Sequence, residues 1–148
     1  MSAPDTLLVV DASVWVSRLV AKDVFHSLVK AWMETLRDRG VTFLSPALLL
    51  PEVAGAISRR TRDTKLARQA LDSLQNLPGL RLVQMDQLTV QGASRLAADL
   101  GLRGADSVYV AVAARLNLPL ATLDADQNER AASAVTVYFL ASDETGGW

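Results

Sequence analysis

The sequence predicts an α/β domain, a mostly parallel sheet of about five strands flanked by helices. Two observations carry this. Short apolar runs of strand length alternate along the chain with longer segments whose apolar residues recur every three or four positions. Half of the 148 residues are apolar, enough for one buried core. Strands that alternate with helices favour a parallel sheet covered on both faces.

Leu7 to Val10 is a buried strand that runs into Asp11, and a helix follows Ser13. Phe25, Leu28, Val29, Trp32, Met33 and Leu36 share one helical face, with Gly40 as the stop. Val41 to Leu44 is a second strand. Ser45-Pro46 has the pattern of an N-cap followed by proline at the first helical position, opening a helix to about Arg60. Pro51 must either kink that helix or delay its start. Leu66, Ala67, Ala70, Leu71 and Leu74 mark a helix over Asp63 to Gln75, and Asn76 to Gly79 a turn. Leu80 to Met85 is the third strand. A helix over Thr89 to Leu100 ends at Gly101 and Gly104, and another runs from Ala105 to Leu116. Leu118 to Leu123 and Val135 to Leu140 are the last strands, with a short helix over Asp126 to Ala132 between them. Residues 1–141 form the domain, and 142–148 read as a flexible tail. There is no internal repeat and no low-complexity linker.

Composition removes several chemistries. With no cysteine there is no disulfide, thiolate metal site or cysteine nucleophile, which suits a reducing cytoplasm. The single histidine, His26, excludes histidine-rich metal sites; beside Phe25 near a helix start it reads as a surface or capping residue. The first apolar run is far shorter than the roughly 20 residues of a membrane span and lacks a basic flank and cleavage site, so a soluble, cytoplasmic protein without membrane contact is expected. The net charge is −1, from 15 basic and 16 acidic residues. Setting four candidate site acids aside leaves twelve acids against fifteen bases. Twelve of those bases are arginines, whose planar fork suits phosphate.

The acids are the informative residues. Asp11 directly follows the first strand and Asp124 the fourth, and in open parallel sheets ligands bind at the carboxyl ends of strands. Each aspartate taken alone is better explained as a helix cap or an Asx turn. Glu52 shares a helical face with Leu48, Leu49 and Ala56, where a carboxylate must be paired or bind a cation. Its ordinary explanation is an ion pair with Arg59, Arg60 or Arg62. Asp106 opens a helix, which capping or dipole stabilisation also explains. Asp126 is either a fifth site acid or the cap of the short helix, and capping is favoured. Oxygen donors alone suit Mg²⁺ or Mn²⁺. Such an ion relieves repulsion among clustered carboxylates, lowers the pKa of a water and stabilises charge on a phosphodiester.

Four pieces in order, Val9-Val10-Asp11-Ala12-Ser13-Val14, Pro51-Glu52-Val53, Arg103-Gly104-Ala105-Asp106-Ser107-Val108-Tyr109-Val110-Ala111 and Leu120-Ala121-Thr122-Leu123-Asp124, resemble the PIN-domain nucleases, most closely the short single-domain VapC toxins. The resemblance spans nearly the whole chain. It implies a PIN-like fold, a Mg²⁺- or Mn²⁺-dependent endoribonuclease that hydrolyses RNA, a homodimer, and for a toxin a cognate antitoxin that blocks the site. Asp11, Glu52, Asp106 and Asp124 fall on the family's acidic positions, with Asp126 a further candidate for the metal. Ser13 falls on the family's hydroxyl position beside the first acid, with Thr122 in a like role on the fourth strand.

RNA would reach the site along basic residues, and Arg59, Arg60, Arg62, Lys65 and Arg68 form the densest run; an ordinary solvated helix face explains that run as well. Trp32 and Met33 read as core or dimer contacts, while a stacking role for Trp15 has no support beyond its nearness to Asp11. A haloacid-dehalogenase-like phosphatase needs a second aspartate two residues after the first, where Ser13 stands. The competitor from another class is a catalytically silent PIN-like binding or scaffold protein. Geometry separates the two, since a nuclease needs the four carboxylates to converge.

Overall fold

The computed structural model describes residues 6–142, so residues 1–5 and most of the expected tail lie outside the described residues. Five strands, β1 (Thr6–Val10), β2 (Val41–Pro46), β3 (Leu80–Val83), β4 (Leu120–Thr122) and β5 (Val137–Phe139), form one sheet in the order β3-β2-β1-β4-β5. Every pairing is parallel. The chain moves outward from β1 through β2 to β3, then crosses back to lay β4 on the other side of β1. That reversal opens a crevice at the carboxyl ends of β1 and β4. The register sets Val9 against Leu120 and Val10 against Ala121, so Asp11 leaves its strand beside Thr122.

The described residues form seven helices beside the sheet: α1 (Ala12–Leu19), α2 (His26–Asp38), α3 (Leu49–Thr61), α4 (Thr64–Gln75), α5 (Gln87–Leu100), α6 (Gly104–Leu116) and α7 (Ala125–Ala131). Val9, Val10, Val14, Leu49, Val53, Ile57, Tyr109, Val110 and Leu120 are among the residues of the continuous core. Trp15 packs edge-on against Phe43 and Trp32 stacks on it. Trp32 and Met33 are core residues, as expected, and buried Trp15 is in no position to stack on a base. Among the described residues no helix is long and apolar enough to cross a membrane.

Several boundaries differ from expectation, each for a local reason. Ser45 and Pro46 end β2 instead of capping a helix. The Ser45 hydroxyl donates to the Val10 carbonyl at 2.6 Å and accepts the Trp15 indole N–H at 3.1 Å, tying the ends of β1 and β2 together. The next helix is delayed to Leu49, which puts Pro51 in the first turn, where its missing N–H would have had no intrahelical acceptor. Asp86 caps α5 through the Thr89 N–H, so that helix starts at Gln87 and not at Thr89. Gly40 (φ 85) and Gly101 (φ 68) adopt the left-handed conformation after α2 and at the end of α5, while Gly104 begins α6 and breaks nothing.

Candidate active site at the carboxyl ends of β1 and β4

Asp11 is at the bottom of the crevice and only 3% exposed. Its backbone N–H continues the ladder to Ala121, while its side chain caps α1 by accepting the Ser13 N–H at 3.2 Å. The same oxygen, Oδ2, accepts the Ser13 hydroxyl at 2.6 Å and lies 3.2 Å from the Thr122 hydroxyl. Thr122 Oγ1 is also 3.0 Å from Gln127 Oε1, so its one proton serves one acceptor at a time. Ser13 Oγ accepts the Leu123 N–H and Thr122 Oγ1 the Asp124 N–H, which fixes both hydroxyls against the turn after β4. Ser13 and Thr122 thus both lie within hydrogen-bond distance of Asp11 Oδ2. Burial pushes the Asp11 carboxyl up to about 6; the charges of Asp106 and Glu52 add to the rise and the Ser13 bonds oppose it.

Glu52, in the first turn of α3, does not pair with Arg59, Arg60 or Arg62. Tyr109 of α6 donates its hydroxyl to Glu52 Oε1 at 2.6 Å. Burial raises the Glu52 pKa and the nearby Asp106 charge raises it further. The Tyr109 phenol is raised in turn, by burial and by the carboxylate it serves, and stays protonated as a donor.

Asp106 and Asp124 are held differently. Asp106 is the third residue of α6, whose cap is Arg103 with no side-chain cap bond, so Asp106 is not the cap that could have explained it. Asp124 caps α7 by accepting the Asp126 and Gln127 N–H groups. The capping favoured for Asp126 thus belongs to Asp124, and Asp126 lies in the first turn of the helix, paired with Arg130 at 2.7 Å. The Arg103 guanidinium spans the two site acids, with Nε donating to Asp106 at 2.9 Å and a terminal nitrogen donating to Asp124. Burial still leaves the Asp106 carboxyl raised, with Asp124 and Asp126 adding to it against Arg103.

Asp11, Glu52 and Asp106 thus share one electrostatic neighbourhood, and Arg103 links Asp106 to Asp124. Among the described residues, however, no three acidic or histidine side chains have the spacing of a formed metal cage. The donor set itself fits a hard divalent cation, being all carboxylate oxygen, partly desolvated and short of positive charge.

Three functional candidates escaped the sequence reading. Arg103, three residues before Asp106, had an available signal in its i,i+3 spacing. Tyr109, three residues after Asp106, lies on the same helix face. Buried Gln127 joins Thr122 to the Asp106 carbonyl, and nothing in sequence marked it.

Beside the acids runs a groove of about 620 Å³, lined by Ser13, Phe25, Pro51, Glu52, Arg59 and Arg60 among others. Arg60 is paired with Asp23 at 2.7 Å. Arg62 and Lys65 are exposed and lie outside the lining. His26, at the start of α2, bonds the Ser17 carbonyl at 2.9 Å, away from the acids.

A family model described as the PIN domain matches residues 8–133. No curated protein matches the chain in sequence. Among solved structures it resembles VapC20 of Mycobacterium tuberculosis, a toxin that cleaves the sarcin–ricin loop (TM-score 0.69, 17% identity, 82% of this chain and 93% of that one). It also resembles VapBC2 of Rickettsia felis bound to promoter DNA (0.70, 14%, 90% and 98%). FitAcB of Neisseria gonorrhoeae is similar at 0.67 and 20% identity, with 90% and 98% covered.

Proposed function

Because the chain belongs to the PIN-domain family, we propose that it is an endoribonuclease dependent on Mg²⁺ or Mn²⁺, and the toxin of a toxin–antitoxin pair. The observation that carries the reading is the buried Asp11, drawn upward in pKa by desolvation and by Asp106 and Glu52 at the switch point of the sheet. A bound divalent cation would relieve buried, clustered carboxylates of this kind. Asp11, Glu52, Asp106 and Asp124 would hold it, with Asp126 at the margin. When bound, the ion supplies Lewis acidity to the phosphodiester and to its attacking water.

The chain's own residues do the rest. Ser13 and Thr122 fix the rotamer of Asp11, and Tyr109 fixes that of Glu52. Arg59, at the edge of the groove, contributes phosphate affinity without sequence choice. The likeness to VapC20 supports RNA as substrate. Likeness to the VapBC2 assembly supports an antitoxin partner, and the reading adds a homodimer that acts in the cytoplasm.

One observation favours the silent binding module. Arg103 already occupies Asp106 and Asp124, and among the described residues no three carboxylates stand at metal spacing. RNA cleavage with Mg²⁺ or Mn²⁺, comparing wild type with Asp11→Asn, decides between them. Metal-dependent cutting by the wild type and its loss in the variant are expected. Equal cutting by both proteins, or none by either, would overturn the reading. Growth arrest on expression tests the toxin role, and harmless expression of an active enzyme argues against it.

A further inference from the structure

Positive charge is scarce in the crevice. Asp11 and Glu52 are served by hydroxyl donors, and Arg103 is the cation bonded to Asp106 and to Asp124. The two acids it bridges belong to different elements, the first turn of α6 and the turn between β4 and α7. A planar guanidinium with separate N–H groups can span them, and an ammonium presents only a single point of charge. The Arg103 side chain is 67% exposed, so little packing holds it in this pose. Its backbone is extended ahead of Gly104 and its side chain makes no cap bond to α6, so withdrawing it leaves the helix start intact. Asp106 and Asp124 are far less exposed, at 13% and 24%, and lose much of their hydration whether or not Arg103 is present.

From this geometry we propose that Arg103 is a resident counter-ion of the acidic site, which a divalent cation must displace from Asp106 and Asp124 in order to bind. The inference rests on reading the acids as a divalent-cation site. A guanidinium on Oδ2 of Asp106 and of Asp124 competes with a divalent ion for those oxygens, and the two charges repel at short range. Exchange therefore lowers the apparent affinity for the metal and keeps the metal-free protein from carrying several unneutralised carboxylates. It also accounts for acids that share one neighbourhood without standing at metal spacing, since the Arg103 fork fills the space between two of them.

The test is Mn²⁺ binding, read from the electron paramagnetic resonance signal of free Mn²⁺, with metal-stripped wild type, Arg103→Gln and Arg103→Lys and no RNA present. Arg103→Gln is expected to bind about tenfold more tightly than wild type, with Arg103→Lys between them, because lysine keeps the charge and loses the fork. The metal-free melting temperature of Arg103→Gln falls, and Mn²⁺ raises it more than it raises that of wild type. Equal or weaker Mn²⁺ affinity in Arg103→Gln overturns the proposal, as does failure of both proteins to bind Mn²⁺. Cleavage separates this from the nuclease reading. A wild type that binds Mn²⁺ and leaves RNA intact sinks the nuclease and leaves the exchange standing. A wild type that cuts RNA, while Arg103→Gln binds Mn²⁺ no better, sinks the exchange alone.

Discussion

The two halves of the acidic crevice solve the same problem by different means. Asp106 and Asp124, at the mouth, are neutralised by a flexible arginine that solvent can reach. The deep half, buried Asp11 with half-buried Glu52, takes its hydrogen bonds from neutral donors, Ser13, Thr122 and Tyr109. A neutral donor orients a carboxylate without cancelling its charge, so the deep half carries the electrostatic cost of the fold. Asp11 shows that cost most clearly, with a pKa raised to about 6 although Ser13 opposes the rise. The deep half is therefore where function and stability pull hardest against each other.

Replacing Asp11 should break the comparison most completely. Loss of groups that only orient a metal ligand typically costs about 10–100-fold, so Asp11→Asn should lower RNA cleavage by more than about 100-fold. The same change should stabilise the metal-free protein near neutral pH. The folded pKa lies above the unfolded one, so the stability from protonated Asp11 is full below about 4 and is lost as pH rises through about 6. The shift of about two units corresponds to roughly 3 kcal/mol by pH 8. Melting curves in chelator from pH 4 to 8 should converge at the acid end and separate at the alkaline end, with Asp11→Asn the more stable. Asp23 and Asp86, whose pKa values are lowered by their hydrogen-bond partners, act in both proteins and cancel in the difference. A gap that does not change with pH would show that Asp11 is not the titrating group.

Ser13→Ala sharpens the contrast from the donor side. It removes the 2.6 Å bond to Asp11 and the acceptor of the Leu123 N–H. Cleavage should fall about 10–100-fold with the metal ligands still present. Because Ser13 lowers the Asp11 pKa, the midpoint of the stability change should move to higher pH. An unmoved midpoint in the melting series would assign Ser13 to backbone support alone.

Tyr109→Phe makes the matching test on Glu52, with a smaller effect. The phenol is one donor to a half-buried carboxylate, so about a tenfold loss of cleavage and about 1–2 kcal/mol of stability are expected. Denaturant melts with and without Mn²⁺ check this. If added metal takes over the role of the lost hydroxyl, the stability deficit shrinks when Mn²⁺ is present.

The same contrast explains how much was legible in sequence. Strand and helix periods report burial on one face, and they located the five strands and the helices well enough to put Asp11 and Asp124 at strand ends. Glu52 on an apolar helix face signalled that it needed a partner. Which partner it had was not legible, because Tyr109 comes from α6, 57 positions away, and only the crossing of α6 over the sheet brings it near. Arg103 is the intermediate case. Its contact with Asp106 is local and readable from i,i+3 spacing, whereas its contact with Asp124 depends on the packing of α6 against β4. Caps moved by one or two residues, as with Asp124 and Asp126, because either aspartate satisfies the sequence rule and only backbone conformation selects between them.

The basic run gives the smallest expected effect, and there position within the run should matter more than charge count. Arg59 lines the groove that continues from Ser13 and Glu52, Arg60 is already engaged by Asp23, and Lys65 stands outside the lining. A phosphate contact contributes about one unit to the salt dependence of binding, whichever bases flank it. With Ca²⁺ in place of the activating ion, Arg59→Ala should weaken binding of single-stranded RNA and reduce the slope of log affinity against log salt by about one. Lys65→Ala should leave both nearly unchanged. Arg60→Ala should act more on stability than on RNA, since it frees Asp23, whose side chain is only 7% exposed, and loosens the tie between the α1–α2 loop and α3. Equal loss of RNA affinity for Arg59→Ala and Lys65→Ala would mean that the whole helix face attracts RNA diffusely, and that the groove beside Glu52 does not set its path.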